Sequence, residues 1–238
     1  MDKNKIINYW DKRATSFSDD KQAELKSEHA QRWLDEINQI IKIKSGMKIL
    51  DIGTGAGFLA ILCRQQGAQV TGIDLSPDMI QSAKQNASLF DQQIHFQVMD
   101  AENLKFDDAH FDLVIARNVT WLLSDTKAAY QEWLRVLKPK GKLINIDGNY
   151  GKDSFVDYSD LPSDHAHNTL GDEMLQESED IKQSISINHY ERPQYDLDIL
   201  QQSHTQSIHL DTDIYKRIYK SEDDFYNPTP IFLIAITK

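Results

Sequence analysis

The segment Asp51-Ile52-Gly53-Thr54-Gly55-Ala56-Gly57-Phe58 constrains this chain more than any other. It ends the short apolar run that begins at Lys48 and leads into a second apolar stretch, Phe58 to Arg64, compatible with a helix. A strand that runs into a glycine turn and then a helix offers bare backbone at the carboxyl end of the strand, where no Cβ keeps a ligand away. The next strand-like run, Gln69 to Asp74, closes on a carboxylate about twenty residues beyond the glycines. An acid there can accept hydrogen bonds from both hydroxyls of a ribose. The two features together predict a nucleoside-containing ligand at the switch point of an open sheet.

The rest of the chain supplies such a sheet. Ser76 and Pro77 read as an N-cap and a first helical residue, continued by Met79, Ile80, Ala83 and Ala87. Ile94 to Met99 alternates as a strand, Phe111 to Ala116 is a further strand, and Ala128 to Leu137 a helix. Lys138 to Gly141 reads as a turn, and Lys142 to Asp147 as the next strand. This alternation predicts a mainly parallel sheet covered by helices on both faces. Upstream, residues 1–45 read as a helical cover, with Ile6, Ile7, Tyr9 and Trp10, then a polar loop from Ser16 to Asp20. Ala30, Trp33, Leu34, Ile37, Ile40 and Ile41 then mark an amphipathic helix. After the core at 46–147, residues 148–203 are polar and acidic and read as an inserted lid or substrate cap. Residues 204–238 return to strand texture, and the apolar run Pro230 to Ile236 is expected inside the sheet.

The formal net charge of −11 repels a phosphate backbone, so DNA is not expected as a partner. One cysteine, Cys63, excludes an intramolecular disulfide framework and a multi-cysteine zinc site. The opening MDKNKIINYWDKR has no apolar core of a signal peptide, and no run approaches the length of a membrane span. A cytoplasmic protein without membrane contact is the expectation; monomer and homodimer stay open.

A dinucleotide loop has the spacing G-x-G-x-x-G, whereas this one reads G-x-G-x-G and is preceded by the acid Asp51. A carboxylate there opposes a pyrophosphate but suits an α-ammonium group. Here the chain resembles class I S-adenosyl-L-methionine (SAM)-dependent methyltransferases, of the type acting on small molecules. Five places match in order: Asp51 to Gly57, Val70 to Asp74, Met99 to Ala101, Phe111 to Ala116, and Leu134 to Gly141. Lys140 replaces a glycine of the last. The resemblance implies a Rossmann-like, doubly wound, mainly parallel seven-stranded sheet, with N-terminal helices and an inserted cap before the last two strands. It further implies that Asp51, Gly53, Thr54, Gly55 and Gly57 border the methionine moiety and that Asp74 holds the ribose. Leu75 and Met79 would pack near the adenine, Asp100 would reach its amino group, and Ala101 and Glu102 would follow at the same end. Arg117 would lie near the methionine carboxylate or the reaction centre, and Tyr9, Trp10 and Phe17 would cover the cofactor. The plainer alternatives make Asp100 a helix N-cap and Tyr9, Trp10, Trp33 and Trp133 core residues.

Methyl transfer from a sulfonium needs alignment and exclusion of water more than an acid or a base. Catalytic candidates are therefore few: Arg117, Asn118, His165, His167 and His189, with Thr120 and Trp121 beside a small-molecule acceptor. Alternatively Thr120 or Ser124 caps the next helix and Trp121 packs beneath it. The Asn-Pro-Pro-Tyr motif of base-modifying relatives is absent after Ala116. The acidic 148–203 segment leads us to expect an amine-bearing acceptor. No metal is expected at His165 and His167. Competing readings are a nicotinamide-dependent oxidoreductase, a methyltransferase acting on a protein or tRNA, and a non-catalytic SAM-binding protein.

Overall fold

The computed structural model describes residues 3–157, 161, 165, 168 and 170–238. Its centre is a seven-stranded sheet built from β1 (Lys48–Ile52), β2 (Gln69–Asp74), β3 (His95–Val98), β4 (Phe111–Arg117), β5 (Leu137–Gly148), β6 (Ser207–Asp211) and β7 (Ile231–Thr237). The order across the sheet is β3-β2-β1-β4-β5-β7-β6. The first five strands are parallel, and β7 runs antiparallel between β5 and β6. The expected place of the terminal apolar run inside the sheet is thus observed. The order reverses direction between β1 and β4, which opens a crevice at the carboxyl ends of these two strands.

Alternation of side chains fills both faces. Ile49, Leu113, Ile115, Ile144, Leu233 and Ala235 meet α2 (Glu28–Ile40), α3 (Phe58–Gln65) and α8 (Ile214–Ile218) on one side. Leu50, Ile52, Val114, Ala116, Ile234 and Ile236 meet α5 (Thr126–Val136) on the other, around the fully buried Trp133. α4 (Pro77–Leu89) packs on the first face through Ile80, Ala83 and Ala87, α7 (Gln194–Leu200) on the second through Leu200, and α6 (Asp172–Ser184) against Ile6 and Tyr9 through Ile181. The expected cap of α4 is present: the Ser76 hydroxyl accepts the Met79 N–H and Pro77 opens the helix. Asp125, rather than Thr120 or Ser124, caps α5 by accepting the Ala128 N–H. Asp100 caps no helix; its Oδ1 accepts the Glu102 N–H within a turn.

Two expectations about local structure are corrected. Ser16 to Asp20 is not a loop, because α1 (Lys3–Leu25) runs unbroken through it. Its buried face there is polar: Ser18 and Gln22 both donate to Asn86 Oδ1 on α4, so apolar periodicity carried no trace of the contact. Lys138 to Gly141 is not a free turn. The bend is absorbed within β5 as a shift of register opposite Phe111 and Leu113, with Lys140 at a φ of 65°. Among the described residues, no helix is long and apolar enough to cross a membrane.

Candidate functional site

A cavity of about 270 Å³ lies in the crevice. Its floor is the loop after β1. Gly53 and Gly55 adopt φ values of 60° and 50°. A Cβ on Gly53 would stand 2.4 Å from Val119 Cγ2, so both conformation and space demand glycine there. Gly57, at a φ of 89°, precedes α3 and packs against Ala83 and Phe96 rather than lining the cavity. Asp51 is buried in the wall. Its Oδ2 accepts the Thr54 hydroxyl at 2.6 Å and the Ala60 N–H at 3.0 Å, while Oδ1 has no protein partner among the described residues. Burial pushes its pKa up to about 7, against the Thr54 hydrogen bond and the Arg117 charge.

At the end of β2, Asp74 accepts the Gly55 N–H on Oδ2 and the Ser76 N–H on Oδ1, both at 2.9 Å. These bonds fix the carboxylate toward the cavity and leave each oxygen a further lone pair. Burial raises its pKa, and the backbone hydrogen bonds oppose this. Leu75, Met79, Asp100, Ala101 and Glu102 continue the same wall. The opposite wall is α1, which crosses the cavity from end to end. Lys3 bonds Asp100 at 2.6 Å and Glu102 at 2.5 Å. Asp11 bonds the Ser76 hydroxyl. Phe17 lies over Gly55, and Lys21 reaches the far end.

That far end carries a buried charge triad. Glu24 accepts Arg117 at 3.0 Å, Lys21 at 2.5 Å and the Trp33 indole N–H at 3.0 Å. Burial alone would raise the Glu24 pKa, but the Arg117 and Lys21 charges hold it down at about 2. Burial lowers the Lys21 pKa, with the Glu24 charge opposing. The Arg117 guanidinium lies 4.4 Å from the Phe58 ring centroid and 4.7 Å from that of Trp33. Two cations face one carboxylate, so the triad is net positive on the cavity side. The cavity thus offers a ribose-binding acid, an underused carboxylate oxygen and a cationic pair in one line. That donor set fits a nucleoside bearing an amino-acid tail.

The model of a methyltransferase domain matches residues 43–221. The chain belongs to this methyltransferase-domain family. Ubiquinone biosynthesis O-methyltransferase of Coxiella burnetii is 34% identical over 111 residues, covering 47% of each protein. The chain spans about half the length of the curated relatives it matches. Phosphoethanolamine N-methyltransferase 2 of Haemonchus contortus, solved with SAM, superposes over 87% of this chain and 52% of its own, with a TM-score of 0.60 at 19% identity. A SAM-dependent methyltransferase of Aquifex aeolicus superposes over 92% and 97% of the two chains, with a TM-score of 0.58 at 16% identity. The seven-stranded sheet is therefore the class I methyltransferase fold.

Of the residues expected at the cofactor, Asp51, Gly53, Thr54, Gly55, Asp74, Leu75, Met79, Asp100, Ala101, Glu102 and Arg117 line the cavity. Tyr9 does not: it packs with Ile6, Ile181, Ile185 and Ile187, whereas Trp10 and Phe17, expected as cover beside it, do line the cavity. Helical spacing explains the difference between Tyr9 and Trp10, since adjacent residues point about 100° apart. Among the described catalytic candidates only Arg117 and Asn118 are at the cavity. His165 bonds the Tyr226 carbonyl, and the exposed His189 bonds the Gln183 carbonyl, both away from it. His167 lies outside the described residues. Tyr150 is the one described residue of 148–203 in the wall, so the described acidic side chains of that segment do not reach the cavity. Lys3, Lys21 and Glu24 were not legible as site residues, because their positions in a polar helix carry no motif. Tyr150 likewise stands in no recognisable pattern.

Proposed function

We propose that this protein transfers a methyl group from SAM to a small-molecule acceptor. The observation that carries the proposal is the joint placement of the Asp74 carboxylate, the Gly53–Gly55 backbone and the free Oδ1 of Asp51 along one cavity wall. SAM supplies a methyl group already activated by the sulfonium charge. Asp74 holds the ribose hydroxyls, and Asp51 Oδ1 accepts the α-ammonium group. Lys21 and Arg117 face the carboxylate, with Glu24 keeping both cations in place. Leu75, Met79 and Ala101 flank the adenine, and Asp100 accepts from its amino group once Lys3 gives way. Helix α1 excludes water along the cavity and leaves the end formed by Asn118, Trp121 and Tyr150 for the acceptor. The work of these groups is alignment and desolvation, and neither needs a general base.

Thermal unfolding tests this reading. Ligand at about 100 times its Kd stabilises by roughly 2.7 kcal/mol. In a chain of this size that raises Tm by about 5–10 °C. SAM and S-adenosylhomocysteine (SAH) are expected to give this shift, NAD to give none, and Asp74→Ala to lose most of it. A shift with NAD alone would favour an oxidoreductase. A shift with SAH, but no turnover with any acceptor, would favour a binding protein.

A further inference from the structure

The acceptor end of the cavity contains a chain of hydrogen bonds whose direction is fixed from outside. It begins at backbone. Asn227 Oδ1 accepts the Thr229 N–H at 3.1 Å, so its Nδ2 faces the other way. That Nδ2 donates to the Tyr150 oxygen at 3.1 Å. The Tyr150 hydroxyl, now an acceptor toward Asn227, directs its own proton to Asn118 Oδ1 at 3.0 Å. Burial, together with the nearby Asp147 charge, keeps the Tyr150 pKa well above the usual phenol range, so the proton stays available. Asn118 must then present Nδ2 on its remaining side. The backbone of Asn118 has no freedom to swing it away. Its N–H donates to the Ile146 carbonyl at 2.8 Å, its carbonyl accepts the Trp121 indole at 3.0 Å, and its φ is 58°. Asn118 lines the cavity, and no described residue accepts from Nδ2.

Building on the methyl-transfer reading, we infer that Asn118 is the acceptor-selecting residue and that the acceptor is an acidic hydroxyl on a flat ring, a phenol or a cyclic enol, methylated on oxygen. A hydroxyl oxygen has two lone pairs: one can take the N–H of Asn118 while the other attacks. An amine nitrogen has one, and a donor directed at it consumes the pair that must attack. A protonated amine meets Nδ2 donor to donor. The surrounding wall is Trp10, Trp121 and Tyr150, which suits a planar apolar body. The hydroxyl proton departs to solvent water before transfer, and Asn118 stabilises the oxyanion left behind. The oxygen–carbon bond then forms as the carbon–sulfur bond breaks. The sulfur keeps the bonding pair, and the opposite charges on oxygen and sulfur cancel. No described histidine is needed, in keeping with the positions of His165 and His189. Tyr150 and Asn227 are positioning residues that set the polarity of Asn118, with Asp147, Arg192 and Tyr219 the charged or titratable groups acting on Tyr150.

The full chain, loaded with SAM, is to be offered ring-matched phenols (catechol, 4-nitrocatechol) and amines (benzylamine, phenethylamine), with SAH formation as the readout. Binding of the same compounds to the SAH-loaded protein is measured by calorimetry. Phenols are expected to exceed the amines at least 100-fold in kcat/KM. Asn118→Gly accepts a φ of 58° without strain, and is expected to bind SAH unchanged but to lower kcat/KM for phenols about 100-fold. The rise of kcat with pH should move upward by about one unit, since the oxyanion loses its donor. Tyr150→Phe frees the amide to rotate and should show the same shift to a smaller degree. Preference for amines, failure of any phenol to bind or react, or an Asn118→Gly protein within threefold of the parent would each overturn the inference. Loss of SAH binding in the parent protein would overturn the methyl-transfer reading, and this inference with it.

Discussion

Replacing Asp51 with asparagine is expected to separate the stability of this protein from its proposed hold on SAM. Asp51 keeps a buried carboxyl whose pKa burial raises to about 7, despite the Thr54 hydroxyl, the Ala60 N–H and the Arg117 charge; Asp74 adds to the rise. An unfolded aspartate titrates near 3.9. The folded protein therefore holds this proton more tightly than the unfolded chain. Below about pH 4 both states are protonated and the group costs nothing. Between about 4 and 7 the unfolded chain ionises first and stability falls; above 7 the full cost is present. Three pKa units correspond to a ceiling of about 4 kcal/mol, and water in the cavity reduces this to about 2 kcal/mol. The asparagine amide oxygen of the variant would accept the same two donors without a charge. Asp51→Asn is thus expected to raise Tm by about 4–8 °C at pH 8 and by less than half as much at pH 5. Affinity moves the other way: loss of the carboxylate beside an α-ammonium group should weaken SAM binding by about 100-fold. In the parent protein, SAM binding at pH 6.5 should release most of one proton, as the ammonium group pulls the carboxyl into its ionised form. Melts at the two pH values test the first part, and calorimetry in buffers of different ionisation enthalpy tests the second. A variant less stable than the parent at pH 8, or binding with no proton released, would refute the reasoning.

Three further outcomes follow from the charged contacts. Glu24→Ala strips Lys21, Arg117 and Trp33 of a shared acceptor and leaves two buried cations, a loss of about 3–5 kcal/mol by urea unfolding; an effect below 1 kcal/mol would show the triad to be solvated. Arg192→Met leaves Asp147 and Asp196 without their common cation beneath the Thr120–Leu122 turn, with a similar loss at pH 8 that shrinks at pH 4, because burial raises the Asp147 pKa and its carboxyl can then take up a proton. Lys3→Ala removes a half-exposed pair of bonds to Asp100 and Glu102 and should change stability by under about 1 kcal/mol. It should speed SAH dissociation measured by stopped flow, and an unchanged off-rate would show that this end of α1 does not gate the cavity.

The sequence alone was enough for the β1–loop–α3 unit, the acid closing β2, the Ser76–Pro77 start of α4 and the interior place of β7. Each rests on a local rule: glycine where φ is positive, an acid at a strand end, a capping hydroxyl, an apolar run too continuous for an edge strand. What only the tertiary structure decided is which polar residues face the cavity. Helix α1 buries Ser18, Glu24 and Arg13 as well as Ile6 and Tyr9, so its inward face has no apolar period to read. The Lys21–Glu24–Arg117 triad and the Thr229–Asn227–Tyr150–Asn118 chain both join residues far apart along the polypeptide. Their chemistry comes from hydrogen-bond direction and from desolvation. Neither exists until the sheet, α1 and the 148–238 region are packed together, because both depend on which groups are near and water is absent, not on the order of residues in the chain.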